Sequence, residues 1–222
     1  TVGAPTCHIQ RDLSGRFLAV VSYHGGQVGL SALTEDGNVG ELLDWHQHEG
    51  GGRDPARQEG PHPHSAYFSS DNRFLFVPDL GKDAVVVYAF DAAAGKLRPH
   101  GETRLHPGAG PRHMAFHPSG KFAYVINELD STVTAFRYEA ETGTLHVIDT
   151  VSTLPADFAG ENWCAEVAVS RDGRFLYGSN RGHDSIAVFA IDLDSGRLAP
   201  VEHVHTQGGH PRHFALSPGG KL

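Results

Sequence analysis

The sequence predicts an all-β protein, specifically a β-propeller built from blades of four antiparallel strands. A hairpin pattern recurs along the chain, and short strand-like runs follow each copy. No segment of comparable length shows the 3.6-residue period of an amphipathic helix. We therefore expect almost no helix.

The recurring hairpin has a polar turn that ends in a basic residue, usually followed by Phe. Turns of this composition between apolar runs are typical of tight β-connections. The basic residues are 47 to 57 positions apart. A repeat of this length made from strands indicates a propeller blade. The five copies are Asp12–Phe17, Ser70–Phe74, Pro118–Phe122, Arg171–Phe175 and Pro218–Leu222.

The third repeat shows the strands of one blade most clearly. Its predicted strands are His113–His117, Phe122–Asn127, Val133–Tyr138 and Leu145–Val151. Short polar connections separate these runs, as expected for an antiparallel meander. In the neighbouring repeats, Val85–Phe90 and Ile186–Ile191 match the third strand.

Two stretches depart from the repeat. Trp45–Pro63 is too polar and glycine-rich for a strand throughout, and Leu154–Asn162 is a second long connection. Long ordered loops are more often functional than short ones.

The composition excludes several classes of function. The 222 residues are 39% hydrophobic and carry a formal net charge of −8, which argues against a nucleic-acid partner. No apolar run approaches the length of a membrane span, and no signal peptide opens the chain, although a leader removed before Thr1 stays possible. Cys7 and Cys164 are too few for a disulfide scaffold, so we expect a reducing, cytoplasmic location.

The hairpins also predict a site. Antiparallel positions equidistant from a turn face each other, and the innermost strands of a propeller line its channel, so their ends converge on one mouth. Two series of equivalent positions therefore meet there. Nine residues before each basic residue stand Cys7, His64, Arg112, Ala165 and Arg212; seven after stand Tyr23, Leu80, Glu128 and Arg181.

Five polar members of these series, His64, Arg112, Glu128, Arg181 and Arg212, are expected to surround one pocket. Arg presents forked donors suited to carboxylate or phosphate, while Glu and His are the usual general acids and bases. The alternative is a solvated propeller face with surface ion pairs, which contribute little.

Neighbouring polar residues are expected to support this pocket. Asp79, Asn127 and Asn180 each precede a member of the second series and should support it through hydrogen bonds. His113 and His213 follow Arg residues of the first series and should support those.

The chain carries 16 His, and His46, His48, His62 and His64 fall close together. They lie in a glycine-rich stretch without the fixed spacing of metal ligands, so we predict neither a metal site nor a cofactor. Gly50–Gly52 lacks the Lys and Ser or Thr of a phosphate loop, and no Ser has a nucleophile-elbow setting.

Five segments together resemble the lactonase propeller family, which contains propeller-type bacterial 6-phosphogluconolactonases and the fungal carboxymuconate cycloisomerase. The resemblance covers essentially the whole chain. The segments are Gly110–His113, Asn127–Val133, Leu154–Phe158, Val169–Tyr177 and Ser179–Ile186.

The resemblance implies a seven-bladed propeller, of which this chain would supply about four and a half blades. We therefore expect residues 1–222 to be a single propeller domain from a longer polypeptide, which would supply the remaining blades. The site proposed for the cycloisomerase branch falls by motif on His64, Arg112, Glu128 and Arg181, the residues that the offsets also select.

The first functional hypothesis is a cofactor-free lactonase that hydrolyses a sugar-acid lactone, foremost 6-phosphogluconolactone. Glu128, with His64 as the next candidate, would activate water, and the Arg residues would bind the anionic substrate. A cycloisomerase that acts on a carboxylated muconate is the alternative of the same fold. A non-enzymatic interaction scaffold is the alternative of another class, but it predicts apolar and aromatic groups at the mouth.

Overall fold

The structure is a computed structural model that describes residues 4–217 and residue 219. These residues form sixteen β-strands in four antiparallel sheets of four, each made from strands consecutive in sequence. Within this described part, the one helical element is a 3₁₀ turn at Leu80–Lys82. The prediction of four-stranded antiparallel blades with almost no helix is confirmed. Of the fifth hairpin turn, Pro218–Leu222, only Gly219 lies among the described residues.

The chain divides into two compact units, Thr1–Pro111 and Arg112–Leu222. Each unit contains two of the sheets and its own apolar core. The expectation of one domain over residues 1–222 stays a prediction.

The first unit holds two sheets, ordered β1 to β4 and β5 to β8. Aromatic and aliphatic side chains from both sheets form its core. The strands are β1 (His8–Arg11), β2 (Phe17–Ser22), β3 (Gln27–Leu33), β4 (Val39–Gln47), β5 (Tyr67–Phe68), β6 (Phe74–Asp79), β7 (Ala84–Asp91) and β8 (Lys96–Arg104).

The second unit repeats this arrangement, with sheets ordered β9 to β12 and β13 to β16. Its first strand begins at Pro111, the last residue of the first unit. The strands are β9 (Pro111–Phe116), β10 (Phe122–Asn127), β11 (Thr132–Glu139), β12 (Thr144–Ser152), β13 (Trp163–Val169), β14 (Phe175–Arg181), β15 (Ser185–Ile191) and β16 (Leu198–His205).

Burial falls from the inner strands to the outer strand of a sheet. Every residue of β10 (Phe122–Asn127) is buried, and its β-branched and aromatic side chains suit a strand covered on both faces. Most of β12 (Thr144–Ser152) is only partly buried or exposed. The inner strands are thus the most deeply packed elements of a sheet.

The same turn closes the first hairpin of all four sheets. In each, a residue with positive φ donates its N–H to the carbonyl three positions earlier. Glycine adopts this left-handed conformation without strain, and Asn tolerates it better than most residues. This backbone requirement explains why the residue before each basic position is Gly or Asn, as at Gly15, Asn72, Gly120 and Gly173.

The predicted loop Trp45–Pro63 begins too early. Strand β4 continues to Gln47, and His46 pairs with Val28 in its ladder. The irregular segment therefore starts at His48. The side chains of this strand end still find hydrogen-bond partners, which is why its polar composition is compatible with a strand.

Candidate active site

The second unit brings two guanidinium groups onto one buried carboxylate. Arg112 Nε lies 2.9 Å from Glu128 Oε2, and Arg181 Nη2 lies 2.8 Å from the same oxygen. All three side chains are at most one tenth exposed. We call Arg112, Glu128 and Arg181 the arginine–glutamate cluster.

Strand ends position this cluster. Arg112 is the second residue of β9, Glu128 follows the last residue of β10, and Arg181 ends β14. The structure thus brings together three of the side chains that the equal hairpin offsets select.

A β-bulge in β13 changes the pairing that equal offsets would give. Those offsets place Ala165 opposite Arg181, but Arg181 pairs with Trp163, and the register shifts between Cys164 and Val167. A bulge inserts an unpaired residue and re-aims the backbone around it. The predicted pairing of Ala165 with Arg181 is therefore wrong, but Arg181 does lie at the predicted end of its strand.

The backbone at this bulge holds both guanidinium groups. Arg181 donates from Nε to the Trp163 carbonyl (3.2 Å) and from Nη2 to the Cys164 carbonyl (3.0 Å). Arg112 Nη1 donates to the Ala165 carbonyl at 2.6 Å. Three successive carbonyls and one carboxylate thus fix the positive groups before any ligand arrives, which is the preorganisation that anion binding needs.

The electrostatics of the cluster favour a bound anion. Burial lowers the pKa of Arg112, Glu128 opposes that effect, and the positive charges of Arg181 and Arg212 add to the lowering. Two cations contact one carboxylate. The cluster therefore has an excess of positive charge in a poorly solvated place.

One nitrogen of Arg181 is used neither by Glu128 nor by the bulge carbonyls. Its Nε and Nη2 atoms are used by the carbonyls and Glu128, whereas Nη1 makes no hydrogen bond within residues 4–217 and 219. Arg212, in the segment after β16, is exposed, and its charge acts on Arg112.

The amides beside the cluster serve the backbone and the neighbouring strand. Asn127 Nδ2 donates to the hydroxyls of Thr132 and Thr134, at 2.8 and 3.0 Å. Asn180 Nδ2 donates to the Thr153 carbonyl at 2.8 Å. The expected hydrogen bonds from these amides to the next residue's side chain are not found among the described residues, because consecutive side chains of a strand point to opposite faces.

Asp79 supports the second-series position of its own sheet through the backbone. Its Oδ1 accepts from the N–H groups of Gly81 and Lys82, which caps the 3₁₀ turn that begins at Leu80. The same oxygen accepts from the His62 N–H, and Oδ2 lies 2.6 Å from His48 Nδ1. This fully buried carboxylate ties the long loop to β6.

His64 lies in the first unit, on the segment that leads into β5. Its N–H donates to the Pro78 carbonyl at 2.9 Å, so it lies beside the end of β6, two residues before the Leu80 position that the equal offsets assign. The imidazole is buried, and its ring meets Tyr23 edge-on with 5.6 Å between centroids. Whether His64 shares a pocket with Glu128 stays a prediction.

The other histidines of this region have partners of their own. His46 Nε2 contacts the Leu97 carbonyl, His48 lies between Asp79 and the Tyr88 hydroxyl, and His62 contacts the Tyr23 carbonyl. Among residues 4–217 and 219, no three His, Cys, Asp or Glu side chains gather as metal ligands.

The sequence reasoning missed Glu166. This buried carboxylate contacts His113 Nδ1 at 3.0 Å and His213 Nδ1 at 2.5 Å. Glu166 lies one residue after Ala165, the member of the first series in its repeat. Eight residues before the basic positions stand His8, Ser65, His113, Glu166 and His213, which vary in polar type as the first series does.

The fold and the site together define a class of protein. Consecutive four-stranded antiparallel sheets of this kind are the blades of a β-propeller, and charged groups gather at the ends of the inner strands. In the described part of the chain, no helix is long and apolar enough to cross a bilayer.

The chain belongs to the family described as lactonase, 7-bladed β-propeller, whose sequence profile matches residues 1–222. It is 40% identical over 216 residues to a 6-phosphogluconolactonase of Bacillus subtilis, covering 97% of this chain and 61% of that protein. The chain thus spans about three fifths of this relative.

Solved structures agree with this assignment. A protein from Lactobacillus plantarum superposes with a TM-score of 0.93 at 36% identity, over 98% of this chain and 62% of that one. The structure titled periplasmic gluconolactonase PpgL, from Pseudomonas aeruginosa, gives a TM-score of 0.89 at 35% identity, over 96% of this chain and 60% of that one.

Proposed function

We propose that the protein containing this chain is a lactonase that hydrolyses a sugar-acid lactone, foremost 6-phosphogluconolactone to 6-phosphogluconate. The observation that carries the proposal is the arginine–glutamate cluster, in which two preorganised guanidinium groups flank a buried carboxylate. Membership of the lactonase family and relatives named 6-phosphogluconolactonase support the reaction class.

Each member of the cluster has a task in this proposal. Ionised Glu128 takes a proton from the attacking water, and His64 is the second candidate for that role. Arg112 and Arg181 stabilise the oxyanion that forms on the lactone carbonyl or hold the substrate's anionic group. Arg212 contributes further positive charge. The reaction needs no cofactor, because water is the only co-reactant.

The environment of Glu128 sets a limit on this chemistry. Both guanidinium groups bind the same carboxylate oxygen, so a proton taken up by Glu128 weakens two ion pairs at once. The proton that it accepts is therefore readily passed on to the ring oxygen as the carbon–oxygen bond breaks.

An alternative exists for both the cellular location and the substrate. Cytoplasmic hydrolysis of the phosphorylated lactone is the first proposal, and the solved relative titled periplasmic gluconolactonase favours an unphosphorylated lactone as the alternative substrate. The proposal includes a small anionic lactone as the partner and further polypeptide for the remaining blades, since the chain covers 61% of the Bacillus subtilis relative.

The test is hydrolysis of fresh 6-phosphogluconolactone by the full-length protein, followed by acid release at constant pH. Gluconolactone and a carboxylated muconate are compared alongside, each against its uncatalysed rate. Preferential acceleration of the phosphorylated lactone is expected. If neither lactone is hydrolysed faster than in buffer, the lactonase proposal is wrong, and turnover of the muconate would replace it by the isomerisation.

A further inference from the structure

A second charged cluster lies beside the first. The Glu166 carboxylate stands between two imidazoles, with Oε1 3.0 Å from His113 Nδ1 and Oε2 2.5 Å from His213 Nδ1. The side chains of Glu166 and His113 are 10% and 11% exposed. We call His113, Glu166 and His213 the histidine–glutamate chain.

The two clusters meet on strand β9 and at the bulge of β13. His113 follows Arg112 in β9, and Glu166 follows Ala165 in the bulge of β13. The Ala165 carbonyl binds Arg112, so these backbone segments are joined directly. Arg112 and His113 point to opposite faces of β9, but the Ala165 residue that holds Arg112 directly precedes Glu166, and the positive charge of Arg112 acts on the His113 imidazole. The two clusters are therefore coupled through the backbone and through their charges.

The Glu166 carboxylate of the histidine–glutamate chain is itself fixed by hydrogen bonds. The backbone N–H of Val167 donates to Glu166 Oε1 at 3.0 Å, and the N–H of Glu166 donates to the Ser179 hydroxyl at 2.9 Å. A fixed carboxylate on Nδ1 selects the tautomer that carries its proton there, which makes Nε2 the basic nitrogen.

Lactone hydrolysis releases a proton that the histidine–glutamate chain could accept. Water adds to the carbonyl carbon, the ring carbon–oxygen bond breaks, and one water proton goes to the ring oxygen. The product is a hydroxy acid, whose carboxyl group is ionised at neutral pH and therefore releases the second proton. The side chains of Arg112, Glu128 and Arg181 are at most one tenth exposed, so this proton needs a nearby acceptor.

We infer that the histidine–glutamate chain accepts the proton released by lactone hydrolysis, with Glu166 as the positioning residue of His113. In this step the product's O–H bond breaks, its electron pair stays on the carboxylate, and the proton goes to His113 Nε2. Glu166 balances the charge of the imidazolium. The inference rests on the proposed lactonase function.

The charges around His113 agree with an acceptor that is neutral before the reaction. Burial lowers the pKa of His113, Glu166 opposes this, and the positive charges of Arg112 and His213 add to the lowering. Burial raises the pKa of Glu166, but its hydrogen bonds with His113 and His213 outweigh that effect and lower it. These effects favour a neutral His113 imidazole beside an ionised Glu166 carboxylate.

Glu166→Gln in the full-length protein tests the inference. The amide keeps the shape but removes the charge that favours protonated His113, so the pKa of His113 falls. The acid limb of the kcat profile should then move to lower pH. At its plateau kcat should fall about 10- to 100-fold, the usual effect of losing a partner that orients a functional histidine. Added imidazole buffer should restore kcat in the variant and leave the wild type unchanged.

The matched control is Glu202→Gln, the same chemical change at an exposed position of β16. It should leave kcat and its buffer dependence unchanged. Histidine NMR titration, with His113→Gln to assign the signal, should show the lower pKa of His113 in Glu166→Gln.

The outcomes separate the two proposals. If the wild type hydrolyses the lactone but Glu166→Gln shows neither a moved acid limb nor rescue by imidazole, the proton-acceptor role is wrong and Glu166 is only structural. If the wild type hydrolyses no lactone, the proposed function fails, and this inference fails with it. A normal kcat in Glu166→Gln with an unchanged pKa of His113 would also overturn it.

Discussion

Replacing Glu128 by Gln removes one negative charge from the arginine–glutamate cluster and almost nothing else. The amide has nearly the same volume, and its oxygen can still accept a hydrogen bond. The carboxylate now receives two charge-assisted bonds on Oε2, from Arg112 at 2.9 Å and from Arg181 at 2.8 Å. Both bonds weaken in the variant, and no group remains that can take a proton.

The structure sets the size of two effects. Breaking a buried ion pair costs about 3–5 kcal/mol, and we expect the low end, about 3 kcal/mol, because three backbone carbonyls still hold the guanidinium groups. If Glu128 takes the water proton, kcat should fall by ~10²–10⁴. KM should change little, since the amide fills the same space and the cations stay in place.

Steady-state hydrolysis of fresh 6-phosphogluconolactone measures kcat and KM, and urea unfolding of the same protein measures the stability. Glu202→Gln on the exposed face of β16 should shift the stability by no more than about 0.5 kcal/mol. A Glu128→Gln variant with near wild-type kcat would show that Glu128 is not the base and leave His64 as the next candidate. An unchanged stability would contradict the buried ion pair.

Three further predictions concern other parts of the chain. Arg181→Ala should weaken substrate binding by about 1.5–3 kcal/mol, seen as a roughly 10- to 100-fold higher KM with kcat partly recovered at saturation; an unchanged KM would exclude Arg181 from binding. Asp79→Ala should cost about 3–5 kcal/mol in urea unfolding, because His48 and three backbone N–H groups lose their acceptor, whereas exposed Asp194→Ala should cost almost nothing. Burial raises the pKa of Cys164 to about 12, so at pH 8 only about one thiol in 10⁴ is ionised, and iodoacetamide should label exposed Cys7 well before Cys164 in the native protein, as read by mass spectrometry.

Much of this fold could be predicted because its periodic elements are local. A turn that requires positive φ before each basic residue repeats in all four sheets, so Gly15, Asn72, Gly120 and Gly173 recur at the blade spacing. Equal distances from those turns then bring Arg112 near Glu128 without any knowledge of the fold.

The wrong predictions concern strand pairing and side-chain facing, which do not follow from distance to a turn alone. The bulge between Cys164 and Val167 shifts the register of β13, which no residue type in that stretch indicates, and it turns Glu166 toward His113. Strand alternation was neglected for Asn127, whose amide faces the threonines of β11 and not the neighbouring carboxylate. Backbone register and side-chain facing depend on tertiary pairing, which a single sequence specifies only weakly.

The bulge has a consequence for how this site can be altered. Because main-chain carbonyls of Trp163, Cys164 and Ala165 bind the guanidinium groups, replacing the Trp163 or Cys164 side chain would not remove a hydrogen-bond acceptor from the site. Their contribution becomes visible only when the main chain itself is edited, for example by an amide-to-ester exchange that weakens one carbonyl acceptor. These hydrogen bonds do not depend on which side chains stand at the three positions, so a site of this type can keep its charge geometry while the residue types at the bulge change.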